Sequence, residues 1–378
     1  MKTKQHILIF IDWFYPAYKA GGPVKSVFNL VQALKADFDF YIVTSNADLD
    51  GEELQVPFNE WTTFEGIPLI YLSADKQNKD TYLELFDSIQ PAVVYYNSLF
   101  SKSFTLLPYR TFKKYKIPQL IAPRGMLGEG ALAIKPLKKK LFLKLSKSLL
   151  FNEKNTYWHA TSAIEAEEIQ LAYGEKVKVK IAQNLSSLIV ERESIIKEVA
   201  VLKMVFVSRI SEKKNLLFVL SLLQSMPKAK NLFLDIYGPI EDKSYWQQCV
   251  DIIDKDERIT YKGVLSPQEI AATLQQYHFY ILPTLHENYG HSIVEALVAG
   301  VPVVISQHTP WRGLEQKNIG ADIGLSTTAD WQTYLEKALQ MEQGEYEAMV
   351  ASCYAFAKAH IVNEEHVEEA RELFLFGS

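Results

Sequence analysis

The amino-acid sequence predicts an α/β protein made of two doubly wound, parallel-sheet domains, and three observations carry that prediction. Short β-rich runs alternate with segments of helical apolar spacing along the chain. The alternation lapses once, between Asn184 and Glu198, and then resumes. The length, 378 residues, is more than a single core usually organises.

The first series reads as a strand at His6–Asp12, a helix at Val24–Leu34 and a strand at Phe38–Thr44, followed by strands at Pro91–Tyr96 and Gln119–Ala122. A helix over Pro136–Leu150, a strand at Tyr157–Ala160 and a helix at Ala163–Tyr173 complete it. The second series runs through Val201–Val207 (strand), Lys213–Leu223 (helix), Asn231–Tyr237 (strand), Gln247–Ile253 (helix) and Ile259–Tyr261 (strand). It ends with Pro267–Gln276 (helix), Phe279–Leu282 (strand), His291–Ala299 (helix) and Val301–Ile305 (strand). Strands joined by crossover helices pair in parallel and are covered on both faces, so the expected domains are 1–188 and 189–362. A helical segment over 363–378 is expected to pack back on the first. Open sheets of this type bind ligands at the C-terminal ends of their strands, so function is sought in a cleft there.

Composition narrows the class. With 48% hydrophobic and 22% charged residues the chain is ordinary globular material, and a net charge of −5 argues against a nucleic-acid partner. The two cysteines, Cys249 and Cys353, have neither metal-site nor redox spacing. The apolar run Ile7–Ile11 stops at Asp12, short of a signal peptide, and Ile293–Ile305 is interrupted by Glu295, short of a spanning helix. The expectation is a cytoplasmic protein, soluble or held peripherally at the inner face of a membrane. Charge is uneven: residues 113–154 hold eleven Lys and Arg against only Glu129 and Glu153. That stretch reads either as a solvated basic face or as a patch for an anionic acceptor or membrane surface.

The densest chemistry lies in Pro283–Pro302. Glu287 and Glu295 stand eight residues apart across a strand-to-helix turn, with Asn288, Tyr289, Gly290, His291 and Ser292 between them. A helix starting near Gly290 presents its first N–H groups to an anion or sugar hydroxyl, and Gly290 lets the backbone approach. Glu295, further inside, can accept bonds from a vicinal diol such as a ribose. Upstream, Ser208-Arg209-Ile210 and Lys213-Lys214-Asn215 follow a strand and open a helix. A planar Arg fork and a compact Lys charge suit a diphosphate.

Glu287–Ala296 resembles the E-x7-E motif of retaining GT-B glycosyltransferases, particularly the large family 4 group (glycosyl transferases group 1), and Ser208–Asn215 is similar to that family's G-R-L-x-x-x-K-G segment with both glycines replaced. The resemblance implies two Rossmann-like domains facing across a cleft, the first binding acceptor and the second nucleotide sugar. It implies that Glu287 contacts the transferred sugar, Glu295 the ribose, and Arg209 with Lys214 the diphosphate. It makes Glu287, Arg209 and Lys214 the catalytic candidates. The amides of Tyr289–Ser292 join the donor set. Gly21-Gly22, between the first strand and helix, resembles the family's Gly-rich loop closing on the donor, and Gly238 and Val264 fall at its two strand-end glycine segments, the second near the base. Pro123-Arg124-Gly125-Met126-Leu127 resembles a segment of polysaccharide-assembly members. Arg124 is thereby an acceptor candidate, as is Asn97, which stands where many members carry a histidine.

The implied activity is metal-independent transfer of a sugar from a nucleoside-diphosphate donor to a saccharide or lipid-linked acceptor, in surface polysaccharide biosynthesis. A GT-B nucleotide-sugar epimerase and a non-catalytic sugar-binding homologue are the alternatives. Asp37-Phe38-Asp39, Asp48-Leu49-Asp50 and Asp254-Lys255-Asp256 match a metal-binding D-x-D by chance, and His286, Glu287 and His291 do not form H-E-x-x-H. His159 and His278 read as structural.

Overall fold

The structure, a computed structural model, describes residues 4–376 apart from 18, 20, 129–130, 133–135, 152, 187–188, 190–194, 228–230 and 267. It divides into two compact units, Met1–Leu185 with Glu364–Ser378, and Ser186–Asn363.

The first unit contains β1 (Gln5–Phe10), α1 (Gly22–Leu34), β2 (Phe38–Ser45), β3 (Trp61–Phe64), β4 (Ile67–Leu72), α2 (Lys79–Ile89) and β5 (Val93–Tyr96). It continues with α3 (Leu107–Phe112), β6 (Gln119–Ile121), α4 (Pro136–Leu149), β7 (Thr156–Ala160), α5 (Ala163–Tyr173) and β8 (Lys178–Ile181). The sheet order is β3-β4-β2-β1-β5-β6-β7-β8. All its pairings are parallel except β3 with β4, an edge hairpin turning on Glu65 and Gly66, both at positive φ. β1 is central and apolar throughout because both of its faces are covered. Ile7 and Ile9 join one core with Val27 and Leu30 of α1, while Leu8 and Phe10 join the opposite core with Tyr82 of α2 and Phe112 of α3.

A terminal helix, Glu364–Glu372, belongs to this unit. The chain beyond it drives Leu373 and Phe374, both fully buried, into the α1 side of the sheet. The Phe374 ring meets Phe38, Phe40 and Tyr95 edge-on at 5.5–5.6 Å.

The second unit contains β9 (Val201–Val207), α6 (Leu216–Ser225), β10 (Asn231–Tyr237), α7 (Lys243–Ile253), β11 (Ile259–Gly263), α8 (Ile270–Leu274) and β12 (Phe279–Leu282). α9 (His291–Val298), β13 (Val303–Ser306), β14 (Gly320–Ile323), α10 (Ala329–Gln340) and α11 (Gln343–His360) follow. Its sheet is wholly parallel in the order β11-β10-β9-β12-β13-β14. Numbered within the unit this is 3-2-1-4-5-6, the doubly wound order, and its switch point lies between β9 and β12.

Three expected helices are corrected in extent. The one over Lys213–Leu223 breaks into a single 3-10 turn, Glu212–Lys214, and α6, because Asn215 adopts a left-handed conformation at φ 58°. α7 starts earlier, at Lys243, where Asp242 caps it by accepting from the backbone N–H groups of Ser244 and Tyr245. α8 is only Ile270–Leu274, and the expected start at Pro267 lies outside the described residues. Among the described residues no helix is long and apolar enough to cross a membrane.

The packing of the terminal segment is testable. Phe374→Ala is expected to lower the unfolding free energy of the first unit by about 3–5 kcal/mol in urea titrations followed by tryptophan fluorescence. A loss under about 1 kcal/mol would show that the tail contributes little to that core.

Candidate functional site

At the switch point of the second unit, the loops leaving β9 and β12 are bonded to each other. Thr284 Oγ1 and the Leu285 N–H both donate to the Lys213 carbonyl, at 3.0 and 2.8 Å. Asn215 Nδ2 donates to the Pro283 carbonyl at 3.0 Å, which its left-handed backbone makes reachable. This stitching brings Lys214 Nζ onto Glu287 Oε1 in an ion pair whose side chains are 11% and 10% exposed. Glu287 is further fixed through its backbone N–H, which donates to the His308 carbonyl at 2.9 Å. Its Oε2 has no hydrogen bond among the described residues, so one carboxylate oxygen is committed to the lysine and the other is available. Breaking so buried a pair costs about 3–5 kcal/mol, because the remaining charge is left unpaired.

Two more cations stand beside this pair. Arg209 pairs with Glu241 at 2.8 Å, a partly exposed contact worth about 0–1 kcal/mol that a stronger anion can displace. Lys213 is an exposed residue, yet the protein around its ammonium holds its pKa below the usual lysine value by desolvation, with Glu287 opposing and Lys214 and Arg209 reinforcing the shift. His286 is likewise held below the ordinary histidine value, by burial first and then by Lys213. Lys213, Glu241 and Thr284 are site residues that the sequence did not single out.

α9 opens next to Glu287. Gly290 caps it at φ 79°, and a Cβ there would come within 2.8 Å of Ile293 Cδ1. The Tyr289 carbonyl accepts from Trp311 Nε1 at 2.6 Å and Ser292 Oγ lies 2.7 Å from the Tyr280 hydroxyl, which anchors the first turn to β12. His291 packs edge-on against the Tyr289 ring. Asn288 precedes this turn, and Glu295, half-buried, follows one turn later. Gly238 follows β10 at φ 142°, and a Cβ there would stand 1.8 Å from the Ser208 carbonyl oxygen. Its glycine thus has a packing cause: it lets β10 run against the residue before Arg209. Val264, beyond β11, is exposed. The structure therefore brings Arg209, Lys214, Glu287, Gly238 and the start of α9 to one strand-end region.

Gly21, Gly22, Asn97 and Arg124 belong to the first unit, at the ends of β1, β5 and β6. Gly21 takes φ 70° and ψ −118°, which favours glycine, and α1 begins at Gly22 with Pro23 in its first turn. Burial holds Lys25, in the same turn, down to about 8. Asn97 and Arg124 meet directly: Oδ1 of Asn97 accepts from Nε and Nη2 of Arg124 at 3.1 and 2.9 Å. Arg124 also donates to Asn184 Oδ1 at 2.5 Å and to the Tyr95 hydroxyl at 2.7 Å. These partners are all neutral oxygens. Among the described residues Asn97 Nδ2 is buried without a partner. Glu165 closes the turn behind, accepting from the Gly125 N–H at 2.6 Å and from the backbone N–H and hydroxyl of Thr161.

The network fixes its protons. His159 Nε2 faces the Ala182 carbonyl at 2.9 Å, which only accepts, so that nitrogen carries the hydrogen and Nδ1 accepts from the Tyr95 hydroxyl at 2.6 Å. Burial first, then the Arg124 charge, pushes the His159 pKa down to about 3. His278 is satisfied similarly: Nδ1 accepts from the Lys203 N–H and Nε2 donates to the Ile196 carbonyl. For His159 the unfolded chain binds a proton below about 6.5 that the folded chain refuses, so stability falls as pH falls from there toward 3. Between about pH 6.5 and 5, where carboxylates contribute little, urea titrations should show a slope of up to ~1.4 kcal/mol per pH unit from this residue. His159→Gln should flatten it; an unchanged slope would contradict the assignment.

Residues 191–356 match the family model described as glycosyl transferases group 1, a span that falls in the second unit and covers less than half of the chain. No curated protein sequence matches. Solved structures are similar over nearly the whole length. HepE of Anabaena in complex with UDP and glucose is 13% identical with a TM-score of 0.71, covering 98% of each chain. Sucrose-phosphate synthase from Thermosynechococcus elongatus is 14% identical with a TM-score of 0.73, again over 98% of each. WaaG, a glycosyltransferase involved in lipopolysaccharide biosynthesis, is 14% identical with a TM-score of 0.67, covering 98% of this chain and all of its own. The chain has the GT-B fold, and its second unit is similar to the glycosyl transferases of group 1.

Proposed function

We propose that this chain is a retaining glycosyltransferase of the hexosyl type, moving a sugar from a nucleoside-diphosphate donor to a saccharide or lipid-linked acceptor in surface polysaccharide assembly. The observation that carries the reading is the buried Lys214–Glu287 pair at the switch point of the second sheet, flanked by Arg209, Lys213 and the start of α9. A departing nucleoside diphosphate gains negative charge, and three cations held by the protein offset it without a divalent metal. Glu287 turns its uncommitted oxygen to hydroxyls of the transferred sugar while Lys214 fixes the other. Glu295 takes the ribose diol, the amides of Tyr289–Ser292 take phosphate or sugar oxygens, and Gly238 and Val264 lie toward the base. In the first unit, Asn97 and Arg124 serve the acceptor.

Asn97 is consistent with a route that needs no histidine. It can donate through Nδ2 but cannot take a proton. The acceptor hydroxyl therefore loses its proton to the leaving phosphate oxygen on the same face, the sugar–phosphate bond breaks as the new glycosidic bond forms, and the anomeric configuration is kept. HepE was crystallised with UDP and with UDP-glucose, so uridine donors are the first to try.

Calorimetry with UDP, GDP, ADP and NAD tests the site. One nucleoside diphosphate should bind, and Glu295→Ala and Arg209→Ala should each weaken it by about tenfold or more, as loss of a charged hydrogen bond does. Binding of NAD alone, or of none, would move the sugar-binding alternative ahead.

A further inference from the structure

α4 presents an apolar stripe to the outside. Leu137, Leu141, Leu145 and Leu149 are 83%, 60%, 48% and 69% exposed. Residues four apart advance about 40° around a helix, so the four share an arc of about 120°. The arc that follows it around the helix docks α4 on its own unit: Phe142, adjoining the stripe, meets the Phe100 ring at 5.1 Å, and Ser146, further round and the one buried residue described in α4, lies 3.1 Å from the Tyr173 hydroxyl. Single exposed leucines are ordinary, but four in a row on one face form a patch.

The charge around the stripe is of one sign. α4 contains Lys138, Lys139, Lys140, Lys144 and Lys147 and no acid. Lys139 turns inward, donating to the Ala131 carbonyl over the Phe100 ring. Lys140, Lys144 and Lys147 fall on one flank of the leucines by helical geometry. Among the described residues no carboxylate pairs with Lys138, Lys140, Lys144 or Lys147. The positive charge continues past the helix, because Lys113 donates to the Leu149 carbonyl at 3.4 Å and, with Lys114, Lys116 and Lys154, lines a cavity of about 870 Å³. The one acid among the described residues lining it, Glu153, is paired with Lys113 at 3.0 Å. All this stands in a chain of net charge −5.

We infer that α4 is an interfacial helix that seats the first unit on an anionic lipid surface. An occupant must be apolar along a narrow strip about 20 Å long and anionic beside it. A bilayer containing anionic lipid meets both requirements: the leucines enter the acyl boundary and the lysine stems extend their ammonium groups to the headgroups. This assignment stands apart from the donor site and is independent of which nucleotide that site takes.

Vesicle flotation of the full chain tests it. The wild type should float with phosphatidylcholine vesicles containing phosphatidylglycerol, stay behind with phosphatidylcholine alone, and be released by salt. Replacing Lys140, Lys144 and Lys147 by Gln should weaken binding about a hundredfold, since each lysine near such a surface is worth about fivefold. Leu141→Gln with Leu145→Gln should lose at least about tenfold through the apolar contact. Both variants should keep the wild-type urea midpoint. Equal flotation on neutral vesicles, or undiminished flotation of the leucine variant, would overturn the proposal. So would a leucine-dependent dimer in sedimentation without flotation, which would give the stripe to a second copy of the chain.

Discussion

The charged contact between Lys214 and Glu287 depends on neighbouring parallel strands whose loops meet at a switch point, and much of the second unit serves to hold it there. β9 and β12 lie side by side, so the chain leaving one and the chain leaving the other emerge together. The Lys213 carbonyl accepts from two groups of the β12 loop, and Asn215 turns left-handed to reach back to Pro283. With both charges nearly removed from water, the pair is worth keeping only if its geometry is held. That requirement explains why the two loops are stitched through the backbone carbonyls of Lys213 and Pro283, which accept from Thr284, Leu285 and Asn215. It also leaves a carboxylate with one oxygen engaged and one available, beside a helix start and two further cations.

The first unit solves a different electrostatic problem. Arg124 is surrounded by the oxygens of Asn97, Asn184 and Tyr95 and, among the described residues, by no carboxylate at hydrogen-bond distance. The Tyr95–His159–Ala182 chain fixes the hydroxyl that Arg124 touches, and a histidine kept neutral adds no competing charge. Arg124 holds a left-handed backbone at φ 56°, which Glu165 supports through Gly125. A cation so held stands next to the Nδ2 of Asn97, which is buried without a partner among the described residues.

Most central strands were legible because strands covered on both faces are written as apolar runs, such as Ile7–Phe10 and Phe279–Leu282. The edges were not. β3 is exposed on alternate residues and turns on Glu65-Gly66 rather than a strong hairpin pair, and β8 alternates lysine with valine and isoleucine. The break before α6 was missed because a left-handed Asn215 is set by its tertiary bond to Pro283, not by propensity. Within the site, spacing pointed to Glu287, Glu295, Arg209 and Lys214 as residue types. It carried no information on pairing: Lys214 and Glu287 are 73 residues apart, and Arg209 and Glu241 are 32 apart. Spacing also could not tell which of the adjoining Lys213 and Lys214 turns inward. Gly238 shows the reverse case, a glycine read as a ligand contact whose backbone geometry is required by packing against Ser208. The basic stretch was visible as composition, but which face of α4 its leucines occupy depends on the docking of Phe142 and Ser146.

The most direct test of a donor site organised by this ion pair is a double-mutant cycle on Lys214→Met and Glu287→Gln, read as the rate of nucleotide-sugar consumption once a donor is known. Groups that act as a unit lose their effect together, so each single variant should fall by roughly a hundredfold or more and the double variant should be little worse than the poorer single. Single variants near the wild-type rate, or losses that simply multiply in the double variant, would contradict the account.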